Sequence, residues 1–184
     1  MPGGCWVPRA TVVPVIEGLG LTLRPWRAGD AGELVTVSGD EAMLRWTGLR
    51  TGDPEAAARW LEQQRQWWDD GTRFSFAVVG GGGVLLGNAL LKRGDRPAEL
   101  AEVGYWTAAA ARGRGVASRA VRVLTGWAWA AHPGLRRLEV FHRSDNVASC
   151  RVAVKSGFAY ERTLPPRPPD PHDGHLHVLA RGPR

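Results

Sequence analysis

The stretch from Trp106 to Gly134 constrains the fold of this chain more than any other, because it reads as a strand end, a glycine-rich turn and one strongly periodic helix in immediate succession. Apolar residues recur at Val116, Ala120, Val123, Leu124, Trp127 and Ala131, and His132-Pro133-Gly134 closes the helix. The turn is Arg112-Gly113-Arg114-Gly115-Val116-Ala117. A glycine turn that opens a helix aims several backbone N–H groups outward at the positive end of the helix dipole, which is a phosphate site. Gly113 and Gly115 allow backbone angles closed to other residues, and Arg112, Arg114 and Arg119 add positive charge, so a pyrophosphate is the natural guest.

The flanking elements can be placed around this unit. Residues 1–18 hold Pro2, Pro8 and Pro14 and suit an extended arm. Leu19 to Trp26 alternates as a strand, Asp30 can cap a short helix to about Ser38, and Asp53-Pro54-Glu55 opens a second helix through Ala57, Trp60, Leu61 and Trp68 to near Gly71. Arg73 to Val79 and Val84 to Leu91 read as a hairpin about Gly80 to Gly83, and Ala98 to Trp106 extends it. After the long helix come a strand at Leu138 to Phe141, a helix from Asn146 to Ser156 closed by Gly157, a strand at Phe158 to Leu164, a proline-rich loop at 165–174 and a last strand at His175 to Arg181. This order predicts an α/β (mixed α+β) fold, one mostly antiparallel twisted sheet with helices on both faces.

With 184 residues the chain is expected to form one domain. No apolar run reaches the length of a membrane helix, and the start lacks a charged region followed by an apolar one, so a cytoplasmic protein is expected. Cys5 and Cys150 have no His or Cys partner at metal-ligand spacing, so neither a disulfide framework nor a metal site is predicted. The net charge of +6 rests almost wholly on arginine and draws phosphate-rich ligands, nucleic acid among them, without choosing between them.

Known phosphate loops can be tested against these letters. A nucleotide-hydrolase loop needs Lys and then Ser or Thr after its last glycine, but Val116 and Ala117 follow Gly115. The dinucleotide fingerprint needs glycine where Ser118 stands. The pattern that fits is Arg or Gln, two residues, Gly, one residue, Gly or Ala. There the chain resembles the GNAT superfamily of acyl-coenzyme A N-acyltransferases. The runs LTLRPWRAGDAGEL, EVGYW and Asn146 through Phe158 look like the branch that acetylates the N-termini of ribosomal proteins, and the resemblance spans roughly Leu19 to Leu164.

The resemblance implies acetyl-coenzyme A as cofactor, held by Arg112 to Ala117, by the backbone of Tyr105, Trp106 and Thr107, and by Asn146, which also suits the N-cap of its helix. Glu102, on the same strand face as Gly104 and Trp106, is the candidate base, against the alternative of a solvated carboxylate beside Glu99. The tyrosine that many members place seven residues after the Asn is Ala153 here, which leaves Ser149 as the candidate acid. Of the adjacent Trp67 and Trp68 only one can face the core, so one is expected at the acceptor cleft or at a dimer contact, as a homodimer occurs in the resembled branch. The acceptor is expected to be a protein N-terminal amine. A small amine such as an antibiotic or polyamine, the amino acid of a charged tRNA, and a binding module without chemistry all stay open at this point.

Overall fold

A computed structural model describes residues 14–166 and 171–182. Most of the expected N-terminal arm, residues 1–13, and part of the proline-rich loop, residues 167–170, lie outside the described residues. The strands are β1 (Ile16–Gly18), β2 (Leu21–Pro25), β3 (Arg73–Val79), β4 (Leu85–Lys92), β5 (Leu100–Thr107), β6 (Arg137–Arg143), β7 (Ala159–Leu164) and β8 (Gly174–Ala180). They form one sheet in the order β1-β2-β3-β4-β5-β6-β8-β7, antiparallel throughout except between β5 and β6. A parallel neighbour demands a crossover, and the long helix α4 (Val116–Ala131) provides it.

The other helices are α1 (Ala31–Ser38), α2 (Glu41–Thr47), α3 (Pro54–Asp69) and α5 (Val147–Lys155). Alternation along β3 shows how the layers divide. Phe74, Phe76 and Val78 meet α4 residues Val121, Leu124 and Ala128 in the main core, whereas Ala77 and Val79 face the α1–α3 side with Trp26 and Val37. A second cluster of Leu34, Met43, Leu49, Ala57 and Leu61 holds α1, α2 and α3 together there. The predicted mixed sheet with helices on both faces is therefore what forms.

Local differences have local causes. Leu19 is not in a strand: Leu19 (φ 53°) and Gly20 (φ 72°) turn the chain between β1 and β2, so the expected single strand is a hairpin, and part of the expected arm is β1. Asp30 precedes α1 but does not cap it with its side chain. Its carboxylate takes two bonds from Arg24, at 2.7 and 2.8 Å, and one from the Arg27 amide. Burial alone would raise that carboxyl's pKa, but these donors outweigh it and hold it below its usual range. The helix α2 escaped the sequence reading because seven residues are too few to show a period; Asp40 caps it through the Met43 amide. Asp53 caps α3 as expected, accepting from the Ala56 amide at 2.8 Å.

Trp68 belongs to the core, against the expectation that either member of the Trp67–Trp68 pair could serve the cleft. Its ring packs edge-on against Phe74 (4.9 Å) and Phe76 (5.2 Å), and its indole N–H donates to the Ser75 carbonyl. Replacing Trp68 by Ala is expected to cost about 3–5 kcal/mol, read as a lower urea midpoint. His132, between the rings of Phe74 and Trp127 and beside Arg93, is kept neutral by burial and then by that guanidinium, which push its pKa down to about 4 from 6.5. Between those two values the unfolded chain binds more protons, so stability is expected to fall as pH drops from about 6.5 to 4. The slope of that fall should be shallower by about one proton in His132→Gln.

Candidate active site

The site begins where two neighbouring strands part. The parallel β5–β6 ladder has three rungs, the last being Glu102 with Glu139. Beyond it β5 stays with β4 as far as Thr107, and β6 stays with β8 as far as Arg143. Val103 to Thr107 and Val140 to Arg143 thus line opposite walls of a cleft of about 760 Å³, a volume suited to a small-molecule ligand. Gly87 lets β5 lie close: a Cβ there would collide with the Trp106 carbonyl across the ladder.

The glycine turn closes one end of the cleft. Gly113 (φ 73°) and Gly115 (φ 70°) both adopt the left-handed conformation that favours glycine. No atom lies within 4 Å of a Cβ placed on Gly113, and only the Ser118 hydroxyl, at 3.9 Å, approaches one on Gly115, so the turn can receive a ligand. The first helical bond of α4 runs from the Arg119 amide to the Gly115 carbonyl, leaving the preceding amides at the helix mouth. The side chains behave less simply than expected. The Arg112 guanidinium pairs with Asp40 and also donates to the Thr107 carbonyl, and Arg119 donates to the Leu19 carbonyl at 2.8 Å. The hydrogen bond from Arg112 holds the Asp40 carboxyl below its usual range. Of the three arginines credited with phosphate charge, only Arg114 makes no ion pair or side-chain hydrogen bond among the described residues; the turn itself offers backbone.

Deeper in the cleft, the Tyr105 hydroxyl lies 2.9 Å from both the carbonyl and the Oγ of Ser149. Burial keeps this phenol protonated, pushing its pKa up to about 12. Asn146 caps α5 by accepting from the Ser149 amide at 3.0 Å, as the sequence predicted. Ala153 is fully buried among core residues. The sequence placed Tyr105 in the wall through its backbone alone; its hydroxyl contact with Ser149, 44 residues away, left no local signal.

Glu102, the expected base, lines the cleft as an ion-paired carboxylate. One oxygen takes Lys92 Nζ at 2.6 Å, and Arg96 takes the other. Trp46, Trp60 and Trp67 also line the cleft, with the Arg73 guanidinium 4.5 Å above the Trp67 ring and Arg143 above Trp46. Trp67 therefore reaches the cleft, whereas Trp68 does not.

Behind Ser149 the fold assembles a group that the spacing of the sequence hid. Ligating atoms of His142, Cys150, His175 and His177 all lie within 4.8 Å of one another, so Cys150 has the His partners that sequence spacing denied it. Alternation is the signal that could have revealed part of this. In His175-Leu176-His177 both rings take one face of β8, and His142 is the cross-strand partner of His175.

The sequence profile of the acetyltransferase (GNAT) domain matches residues 20–159, most of the chain. The chain belongs to the GNAT acetyltransferase family. No curated protein matches the sequence. Solved structures share the GNAT fold at low identity. Ribosomal-protein-S5-alanine acetyltransferase from Vibrio fischeri superposes with a TM-score of 0.78 at 21% identity, covering 91% of this chain and 96% of that one. RimJ from Mycobacterium smegmatis, in complex with CoA-disulfide, gives 0.77 at 22%, covering 91% and 86%. The microcin C7 self-immunity acetyltransferase MccE, in complex with acetyl-CoA and AMP, gives 0.79 at 16%, covering 89% and 94%. In this GNAT acetyltransferase the left-handed Gly115 is the most exacting position of the turn. Gly115→Ala is expected to cost about 1–2 kcal/mol in backbone strain. A turn that shifts to relieve this strain no longer presents its amides as before, and coenzyme A binding is expected to weaken by roughly tenfold, as calorimetry would show.

Proposed function

We propose that this chain transfers the acetyl group of acetyl-coenzyme A to the α-amino group of a protein or peptide N-terminus, in the reducing cytoplasm. Acetyl-coenzyme A supplies a thioester carbonyl activated toward amines. The backbone of Arg112, Gly113, Arg114, Gly115, Val116 and Ala117 suits its diphosphate, because the two left-handed glycines leave open space above a helix mouth. The edge of β5 at Tyr105, Trp106 and Thr107, which has no ladder to β6, offers backbone groups to the rest of the cofactor, with Asn146 beside it at the start of α5.

Ser149 Oγ is the proton donor for the departing sulfur and is reprotonated through solvent by the proton that the acylated nitrogen releases, while the Tyr105 hydroxyl, protonated throughout the working range, orients it at 2.9 Å. An α-amino group ionises near pH ~8, so a useful fraction is neutral at pH 7 and no strong base is required; a lysine amine, near ~10.4, would need one. That chemistry agrees with a cleft whose one lining carboxylate among the described residues, Glu102, is already bound by Lys92 and Arg96.

The charge of the lining carries the choice of acceptor. Among the described residues, Arg50, Arg73, Lys92, Arg112, Arg143, Arg151 and Lys155 line the cleft with Glu102 as the carboxylate, and Asp40 and Asp145 just outside it pair with Arg112 and Arg143, so the lining keeps a positive excess. A polyamine or a polycationic antibiotic would enter against that field, while a peptide terminus with an acidic residue close behind would be drawn in. The three aromatic rings suit a peptide's apolar and amide surfaces.

The test is thiol release from acetyl-coenzyme A with a panel of peptides and amines, with products located by mass spectrometry. Peptides with a free N-terminus and an acidic second or third residue should give the highest kcat/KM. Preference for spermidine, or acetylation of lysine side chains alone, would overturn the acceptor assignment. Ser149→Ala is expected to lower kcat by roughly 10²-fold with coenzyme A affinity retained. Glu102→Gln should leave the pH–rate profile in place, since the ionisation it reports belongs to the substrate amine.

A further inference from the structure

The cluster at His142, Cys150, His175 and His177 plays no part in the transfer just described, and its chemistry points elsewhere. His142 is the penultimate residue of β6, His175 and His177 share a face of β8, and Cys150 comes down on them from the first turns of α5. His142 and His177 are buried. The Nδ1 of His142 lies 2.8 Å from the Arg143 carbonyl, which accepts only, so Nδ1 carries the proton and the lone pair sits on Nε2. That Nε2 is buried with no hydrogen-bond partner among the described residues. The same holds for Nδ1 of His175 and for both ring nitrogens of His177, a residue with no exposed surface.

Buried polar atoms are nearly always satisfied, and one such orphan is an oddity. Each of the three rings has at least one such orphan here, and one lone pair from each, with the free thiol of Cys150, makes a four-donor set that lacks an acceptor of lone pairs. Packing does not account for it: the His142 and His177 rings stack at 5.1 Å, but stacking satisfies no nitrogen.

We propose that His142, Cys150, His175 and His177 form a closed tetrahedral site for a divalent transition-metal ion, with zinc as the ion its donors suit best. Three imidazoles and one thiolate are borderline ligands of the zinc class, and four protein donors leave no open position, which marks a structural site. Bonds of about 2.0–2.3 Å place tetrahedral donors roughly 3.3–3.7 Å apart. Donors already within 4.8 Å reach that by small side-chain rotations. On binding, Cys150 gives its proton to solvent and bonds as thiolate, while the carbonyl of Arg143 orients the ring of His142 from behind. The bound ion ties α5 to β6 and β8 one residue from Ser149, and so fixes the hydroxyl that faces Tyr105. This inference stands apart from the choice of acyl acceptor.

The experiment uses the full chain without a histidine tag, reduced, stripped with a chelator and titrated anaerobically with Co²⁺ alone. The expected result is uptake of one equivalent, with a thiolate-to-cobalt charge-transfer band and the intense visible bands of a tetrahedral ion, both abolished when Zn²⁺ displaces cobalt. Cys150→Ser should lose the charge-transfer band while its far-ultraviolet circular dichroism is unchanged, and His177→Gln should weaken cobalt binding at least tenfold. Absence of the band from the unaltered chain, a weak octahedral spectrum, or a band that survives Cys150→Ser would each overturn the proposal. The first two outcomes need no variant, so a folding defect in a mutant cannot shelter it.

Discussion

The arrangement depends on one interruption of hydrogen bonding, the end of the β5–β6 ladder at Glu102 and Glu139. A sheet edge inside a protein is costly unless something else meets its backbone groups. Here it is the wall of a cleft, and the glycine turn, the N-terminus of α5 and the Tyr105–Ser149 contact are all arranged around it. The last rung is itself unusual: two glutamates face each other as parallel partners, a repulsive pair made tolerable by Arg96, which reaches both. Arg137 continues the chain of charges to Glu139 and Glu161. Glu102 thus works at the fork as a fastening for the strands, and its carboxylate is spent on Lys92 and Arg96.

Much of this was legible in the letters, and the reasons are physical. The helix α4 was predicted over Val116 to Ala131 because sixteen residues with a clear 3.6-residue period and a His-Pro-Gly stop leave little choice. The hairpin β3–β4 was legible from its glycine turn. The N-cap of α5 followed from Asn146 alone. What stayed hidden were relations between distant residues. Nothing near Arg112 says that Asp40, 72 positions back, captures its guanidinium, and nothing near Glu102 says that Lys92 and Arg96 converge on it. Sequence supplies each charge but not its partner, so a phosphate ligand and an ion pair look alike until the chain is folded.

The two tryptophans of α3 show the same limit within a single helix. Adjacent residues point about 100° apart, so one of Trp67 and Trp68 must turn from the core. The helical period through Ala57, Leu61 and Trp68 leans toward Trp68, but the rings that receive it, Phe74, Phe76 and Trp127, lie on other elements and are not visible from the helix alone. The surroundings of Cys150 were hidden for a related reason. Metal-ligand spacing rules describe loops and single helices, whereas Cys150 meets its histidines from a helix laid across two strands.

With only three rungs joining them, the strands on either side of the fork amount to two leaves of a book bound by a short spine. Beyond those rungs the β6–β8 leaf is held to the β1–β5 leaf by side chains, Leu138, Val140 and Phe158 sharing one core with α4, so amide exchange on that leaf is expected to report any opening of the fork. A ligand lying in the crease touches both leaves and suppresses that opening in proportion to its affinity. Cofactor occupancy in this acetyltransferase is thus written into the breathing of its backbone, far from the atoms where the acetyl group changes hands.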